Sequence, residues 1–581
     1  HQHHLRAVPA SPGAVAKIGE ARLVRAPRQR GFCIVAEGGN ASRAGAEERV
    51  ISTRIGRATA VAICLVCACR KAEGARAAQR AEPSGALLSK GEAADLRLTP
   101  DKKFALFLLE PHKPQLSGVP PMMVLGALYA SSIDGKKTRK LGDGVTNVPG
   151  GYLVSPDSRW AAFLMGYNAS EQTGSLFAVD LTTEKRPIEL GKVVSYFLIS
   201  PDSSWIAFVD QGVLKLARLG TDAARSISGE VSNAQFSPDG KWLVYRRKLT
   251  AGSTLFATPV EGGRTWQLAA QVGDYLVAAD SRSVAFAQRS SAGPPGYALH
   301  LSDLASLRNP DQRASGVESI SAKKLAAKSG FFAFSPDARW LGWVGNKNQE
   351  NAGELYVSAV GGAGRKIGTQ VVDFSFAPDS SAIAYLDSYT DAARAGIMVE
   401  TPLPDGKPKR LGNRVPNFTW GADGKYLAFL SRFVKPLYSV DLMLHLSAEE
   451  GASKVHPGVF GYGFSPKNRF LFFRSNCIRE GRACDLYQVD LANPKTEAKK
   501  ILEGIYTFRS SDDEGRLVIT YARVDVQAYD LAVYNLKNGQ RQTLAREIQL
   551  PPLFATADGS KLIYLAGNKR QAGVYLADQL P

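Results

Sequence analysis

One phrase recurs from residue 95 to the end of the chain and constrains what it can fold into. It reads LTPDKKFALF, VSPDSRWAAF, ISPDSSWIAF, FSPDGKWLVY, AADSRSVAF, FSPDARWLGW, FAPDSSAIAY, GADGKYLAF, FSPKNRFLFF, SSDDEGRLVI and TADGSKLIY, eleven copies in all. The acidic residue or its equivalent falls at Asp101, Asp157, Asp202, Asp239, Asp280, Asp337, Asp379, Asp423, Lys467, Asp513 and Asp558. A period of about 44 residues means one supersecondary unit per repeat. Within the phrase, Pro presets φ for the first corner of a tight turn, Asp bonds its own downstream backbone, and a small or polar residue follows. The repeated Asp is therefore expected to do a structural job in each turn.

After the turn comes a strand that is apolar on both faces, as in WLVY (242–245) and WIAF (205–208), which is what burial between two neighbouring sheets requires. A second strand signal follows at a variable distance, as in SLFAVDL, ELYVSAVGGAG and LYQVDL, and ends on turn residues. A short basic-apolar segment such as RKLG (139–142) or KRLG (409–412) closes the unit. Four strands per repeat with no helical periodicity predict an all-β fold, a β-propeller built from about eleven four-stranded repeats. Trp160, Trp205, Trp242 and Trp340 each lie three residues after the turn Asp, so they are expected in the blade core.

FSPDGKW at 236–242 carries a resemblance to the WD-repeat-like Pro-Asp blades of TolB-type periplasmic propellers and of tricorn-type and prolyl-oligopeptidase-type peptidases. The resemblance covers about 480 residues and implies the fold, with docking of a protein or peptide near a propeller face. The companions of those families are missing: no G-x-S-x-G elbow is present and no N-terminal α/β domain. Rings usually hold four to eight blades, so the repeats are expected to divide into two tandem propellers. The polar stretch 304–330 marks the division, giving a first propeller of five repeats over 85–310 and a second of six over 311–581. The last repeat shows only three strands, and GALLSKGE (85–92) is expected to supply its fourth.

The segment before the repeats sets the expected compartment. Residues 51–70 read ISTRIGRATAVAICLVCACR, two arginines before an apolar run too short for a membrane span of roughly 20 residues. This is the layout of a lipoprotein-type signal over 51–69, ending in Val66-Cys67-Ala68-Cys69, which resembles a lipobox and implies acylation of Cys69. Residues 1–50 read as a leader without period, and 70–84 as a flexible linker. The expectation is a lipid-anchored protein of the periplasm or outer membrane.

Of 72 Lys/Arg and 54 Asp/Glu, giving a net charge of +18, half the excess falls in residues 1–90. The rest is spread over the repeats without a basic block, which argues against nucleic-acid binding. Cys477 and Cys484, either side of one loop between two strand runs, are expected to form a disulfide in an oxidising compartment. No His/Cys spacing suggests zinc, and no catalytic residue or cofactor is assigned. One insertion that breaks the repeat, LDSYTDAARAGIMVE, spaces Asp387, Asp391 and Glu400 as a candidate binding loop for Ca²⁺ or a basic partner. The Pro/Gly-rich insertions 109–124 and 290–301 are further binding-loop candidates. The functional expectation is a protein or peptide interaction scaffold at the bacterial envelope; the alternative is an enzyme of lactonase, lyase or glycosidase type working in the central channel.

Overall fold

In the computed structural model the described residues are 83–581, less 115–119, 121, 251, 290–295, 308–321, 327, 349–351, 433–439, 479–480, 524–527, 549–553, 557–558 and 567–570. They form antiparallel four-stranded sheets joined in chain order. Ten sheets make eleven blades, because the 12-residue strand Ile188–Ile199 ends one blade and begins the next. Blades 1 to 11 span 93–146, 152–194, 194–229, 231–269, 272–326, 332–371, 374–415, 418–459, 461–505, 507–548 and 554–577. Blade 11 takes its outer strand from the start of the body: Ala86–Lys90 pairs with Gly573–Ala577, so the strand expected to close the last repeat does so. No helix among the described residues is long and apolar enough to cross a membrane.

Each second strand is buried on both faces. Leu106, Phe107 and Leu108 in blade 1 and Leu341, Trp343 and Val344 in blade 6 are examples. Burying a side chain of this size stabilises the fold by about 1.5–3 kcal/mol. The repeated tryptophans are less uniform than expected: Trp205 and Trp242 are buried, whereas Trp160 and Trp340 are only partly so. Arg159 lies over Trp160 and Arg218 over Trp205, which accounts for aromatic faces at the rim.

The recurring phrase is a turn held by a small, repeated network. In blade 2 the Ser155 carbonyl accepts from Ser158 N–H at 2.8 Å and the Trp160 carbonyl accepts from Ser155 N–H. Asp157 Oδ1 accepts from the Ser155 hydroxyl and from Arg159 N–H, and Ser155 Oγ in turn accepts from Trp160 N–H. Ser200–Asp202, Ser237–Asp239, Ser335–Asp337, Thr99–Asp101 and Ser511–Asp513 repeat the hydroxyl–carboxylate bond. Asp379 and Asp423 accept the same downstream N–H groups, from Ser381 and Lys425. Asp558 lies outside the described residues.

In every blade the residue after the acidic position has positive φ, as at Ser158 (68°), Gly240 (71°) and Gly424 (76°). Its side chain often reaches the preceding blade. Asp101 N–H donates to Ser158 Oγ at 2.8 Å, Asp157 N–H to Ser203, Asp239 N–H to Ser281 and Asp337 N–H to Ser380. Glycine stands here where the preceding Asp side chain closes in: a Cβ on Gly240 would lie 2.7 Å from Asp202 Cγ. A second set of bonds joins the outer edges. Arg139 donates to the carbonyls of Asp180 and Lys185 in the next blade, Arg225 to Pro259 and Val260, Arg365 to Pro404, and Lys409 to Ser447 and Glu449.

The apolar core shows how the blades are arranged, and it corrects the expected division. Among the described residues every core cluster straddles two consecutive blades, and the fifth blade is no exception. Ala285, Ala287 and Leu299 of blade 5 pack against Phe332, Leu341 and Trp343 of blade 6, across the expected boundary at 310/311. Ile563, Val574 and Leu576 of blade 11 pack against Leu96, Ala105 and Phe107 of blade 1. Two closed rings would instead need blade 5 on blade 1 and blade 11 on blade 6. The described residues therefore form one closed cycle of eleven blades. The polar stretch that suggested a boundary is only the connection leading into the outer strand of blade 5.

Gly240→Ala should destabilise the protein by at least about 1–2 kcal/mol, combining a left-handed backbone with a clash. Ser281→Ala should cost about 1 kcal/mol through one lost bond between blades. Denaturant midpoints of the two variants check both values.

Candidate interaction face and channel mouth

The meander gives the ring two unlike faces. The Pro-Asp turns and the connections between third and fourth strands lie on one, called here the turn face. The hairpins between second and third strands and the links from blade to blade lie on the other, the hairpin face. The insertions 109–124 and 290–301, the 387–400 segment and the cysteine loop all belong to hairpins of this second face, in blades 1, 5, 7 and 9. Residues 115–119, 121 and 290–295 of those loops are outside the described residues.

Exposed large apolar side chains gather on the same side. Met122 is 81% exposed, Ile478 59%, Tyr297 43% and Val193 40%, and each sits in or beside a hairpin or link of the hairpin face. Leu87, on the outermost strand of blade 11, is the other such residue among those described. Single exposed hydrophobics are ordinary, and these four come from blades 1, 5 and 9 and the link between blades 2 and 3, spread round one face.

Cys477 and Cys484 are joined by a disulfide, with Cα atoms 4.1 Å apart, across the blade 9 hairpin that carries Ile478. Arg474 runs beneath this hairpin, almost wholly buried, and donates to the Tyr506 carbonyl of the next blade. The crosslink and the arginine together hold the Ile478 loop in place.

Asp387, Asp391 and Glu400 are not brought together. Asp387 faces Ile397 across the blade 7 hairpin and accepts from Thr369 and Ser388, and Asp391 is at the tip. Glu400 pairs with Ala384, three residues down the strand from Asp387, or about 10 Å at the rise of a strand. It is fully buried, not a loop residue. The segment is not an insertion, since strands Ala382–Thr390 and Ala395–Pro402 are joined by a four-residue turn of the same length as in blades 2 and 9, and alternation along the strand turns one carboxylate inward. No group of three His, Cys, Asp or Glu side chains among the described residues could hold a metal.

Glu400 instead belongs to an ionic seam between blades 7 and 8 that sequence reasoning missed. His445 Nε2 lies 2.9 Å from Glu400 Oε2, and its Nδ1 lies 2.8 Å from the Gly451 carbonyl, with both side chains fully buried. A carbonyl only accepts, so Nδ1 carries a proton. The pair is then either imidazolium with carboxylate or neutral imidazole with carboxylic acid. Lys409 Nζ is 3.9 Å from the same oxygen, and Oε1 has no hydrogen-bond partner among the described residues. Close by, a cavity of about 270 Å³ opens between the same blades, with Asp441 bonded to Lys454 at 2.9 Å and 3.6 Å from Arg432.

One position in or just before the first strand of a blade, six residues before the turn Asp, is Asp or Asn in five blades. It holds Asp95, Asn233, Asp274, Asp373 and Asn417 in blades 1, 4, 5, 7 and 8. Asp95 is committed to structure: Arg97 grips both its oxygens and stacks on Tyr152, whose hydroxyl donates to the Asp95 carbonyl at 2.6 Å. Asp373 is exposed at its surface, and the protein crowding its carboxyl pushes it up to about 6, against one bond from Phe374 N–H.

No known protein family matches the chain, and no curated protein resembles it. Among solved structures the chain is similar to the crystal structure of a eukaryotic initiation factor, at 13% identity over 64% of this chain and 95% of that one, with a TM-score of 0.37. A tricorn protease matches 84% of this chain and 57% of its own at 10% identity and a TM-score of 0.28. Hydrazine synthase of Kuenenia stuttgartiensis matches 52% and 94% at 11% identity and a TM-score of 0.27.

Replacing His445 by Ala leaves buried Glu400 without its partner and should cost about 3–5 kcal/mol for an ionised pair or about 1–3 kcal/mol for a neutral one, whereas Glu400→Leu with His445→Leu should recover most of it. Thermal melting of the three proteins tests this. A raised native carboxyl binds its proton longer than the unfolded chain does, so Asp373 lowers stability as pH rises from about 4 to about 6. Asp373→Asn should remove that loss, melting higher than the parent at pH 7 and no higher at pH 4.

Proposed function

We propose that this protein is an exported, lipid-anchored β-propeller of TolB-like kind that binds a protein or peptide at the bacterial envelope with its hairpin face. The observation that carries the reading is the placement of Met122, Val193, Tyr297 and Ile478 on that face. The signal-like run 51–69 and Cys69 support export and anchoring; both lie outside the described residues. A propeller gathers loops from distant parts of the chain onto one surface, which suits recognition of an extended partner. The disulfide fits an oxidising compartment. Asp373 supports a second reading, a channel enzyme of lactonase, lyase or glycosidase type, because a carboxyl near 6 is suited to acid–base work.

Photo-crosslinking residues placed at Ile478 and Met122 in living cells should yield the same discrete protein adduct, with none from Lys537 on the turn face. Ile478→Asp with Met122→Asp should reduce that adduct at least fivefold. Equal adducts from both faces would contradict the assignment. Intact mass of the membrane-extracted protein should show a diacylglyceryl group on Cys69.

A further inference from the structure

The basic residues look diffuse along the chain, and the ring collects them. The described residues of the ten connections that lead into outer strands, each taken with the first two residues of its strand, hold 19 Lys/Arg and 9 Asp/Glu, a balance of +10. All lie on the turn face, towards its outer edge. The described residues of the Pro-Asp turns further in hold ten Lys/Arg and eleven Asp/Glu, a balance of −1. Three rim cations, Arg139, Arg225 and Arg365, bond carbonyl oxygens of the next blade. A carbonyl holds the side chain in place without cancelling its charge, and the excess forms a positive band along the edge at blades 1, 5, 6, 7, 9 and 10, the connections of blades 2, 3 and 4 being neutral and that of blade 8 carrying −2.

The chain also joins the body on this face. Ser84 N–H donates to the Leu544 carbonyl and the Tyr564 hydroxyl donates to the Ser84 carbonyl at 2.6 Å, beside the turn-face ends of blades 10 and 11. Between Cys69 and Pro83 lie thirteen residues, a reach of at most about 50 Å.

From the band and the chain's point of attachment together, we propose that the turn face is the surface this protein lays against an anionic lipid bilayer, leaving the hairpin face turned away from the membrane. The proposal deepens the anchoring reading and rests on it for the tether, but the band makes a claim that is testable without the lipid. Basic groups near an anionic surface attract its headgroups additively and within about a Debye length, so a flat ring with its cations at the edge lies parallel to the bilayer.

The test uses the full chain with Cys69→Ser and sedimentation with vesicles of 30% phosphatidylglycerol in phosphatidylcholine, or phosphatidylcholine alone. Binding is expected to the anionic vesicles only and to vanish in 0.5 M NaCl. A rim variant, Lys136→Glu, Lys185→Glu, Lys324→Glu, Lys407→Glu and Lys499→Glu, alters exposed residues and should partition at least tenfold less. An opposite-face variant with the same charge change, Lys113→Glu, Lys192→Glu, Lys248→Glu, Lys328→Glu and Arg394→Glu, should stay within twofold of the parent. Equal losses in both variants, at unchanged melting temperatures, would overturn the proposal, since net charge alone would then explain binding. So would failure to bind anionic vesicles, or displacement from them by a single-stranded oligonucleotide at equal phosphate. Rim-dependent binding together with an unmodified native Cys69 would sink the anchor and leave the membrane-facing surface standing.

Discussion

The ring depends on one backbone constraint: the residue after each turn Asp adopts positive φ. That conformation lets the turn close in four residues, points the next side chain back at the preceding blade, and starts the buried second strand at a fixed height. Serine meets it by hydrogen bonding across the gap, glycine by leaving room for the neighbour's carboxylate. Because the same turn recurs in each blade, a local preference becomes a long-range register, with bonds across the seams at Ser158, Ser203, Ser281 and Ser380 and close packing at Gly240 and Gly424. A salt bridge between Lys102 of blade 1 and Asp512 of blade 10 reaches across the turn of blade 11.

Strands, blades and the closing strand at 86–90 were legible in the sequence, because turn chemistry and burial on two faces are local properties of ten or so residues. The number of rings was not. Whether blade 5 meets blade 6 or blade 1 is decided by how much each blade turns relative to its neighbour. Residues such as Ala285, Leu299 and Trp343 look the same whichever partner they meet. The expectation of two rings came from the usual size of propellers, and the packing of Leu96 and Phe107 on Ile563 and Leu576 replaces it with one.

The candidate sites divide along the same line. The long loops 109–124 and 290–301 were legible as departures from the period, and the cysteines as the two sides of one hairpin; that all of them fall on one face follows from the strand order, which the sequence did not show. Glu400 was misjudged because its neighbours in sequence are loop residues while its neighbours in space are His445 and Lys409. The basic band escaped for a geometric reason. Lys136, Lys324 and Lys537 are hundreds of residues apart, and only a ring with one outer-strand turn per blade sets them on one edge.

All of this rests on a single closed ring, and cryo-electron microscopy of the purified protein viewed down its axis tests that most directly. Class averages should show one ring of eleven blades around one channel. Averages with two smaller rings of five and six blades, joined near residue 310, would contradict it.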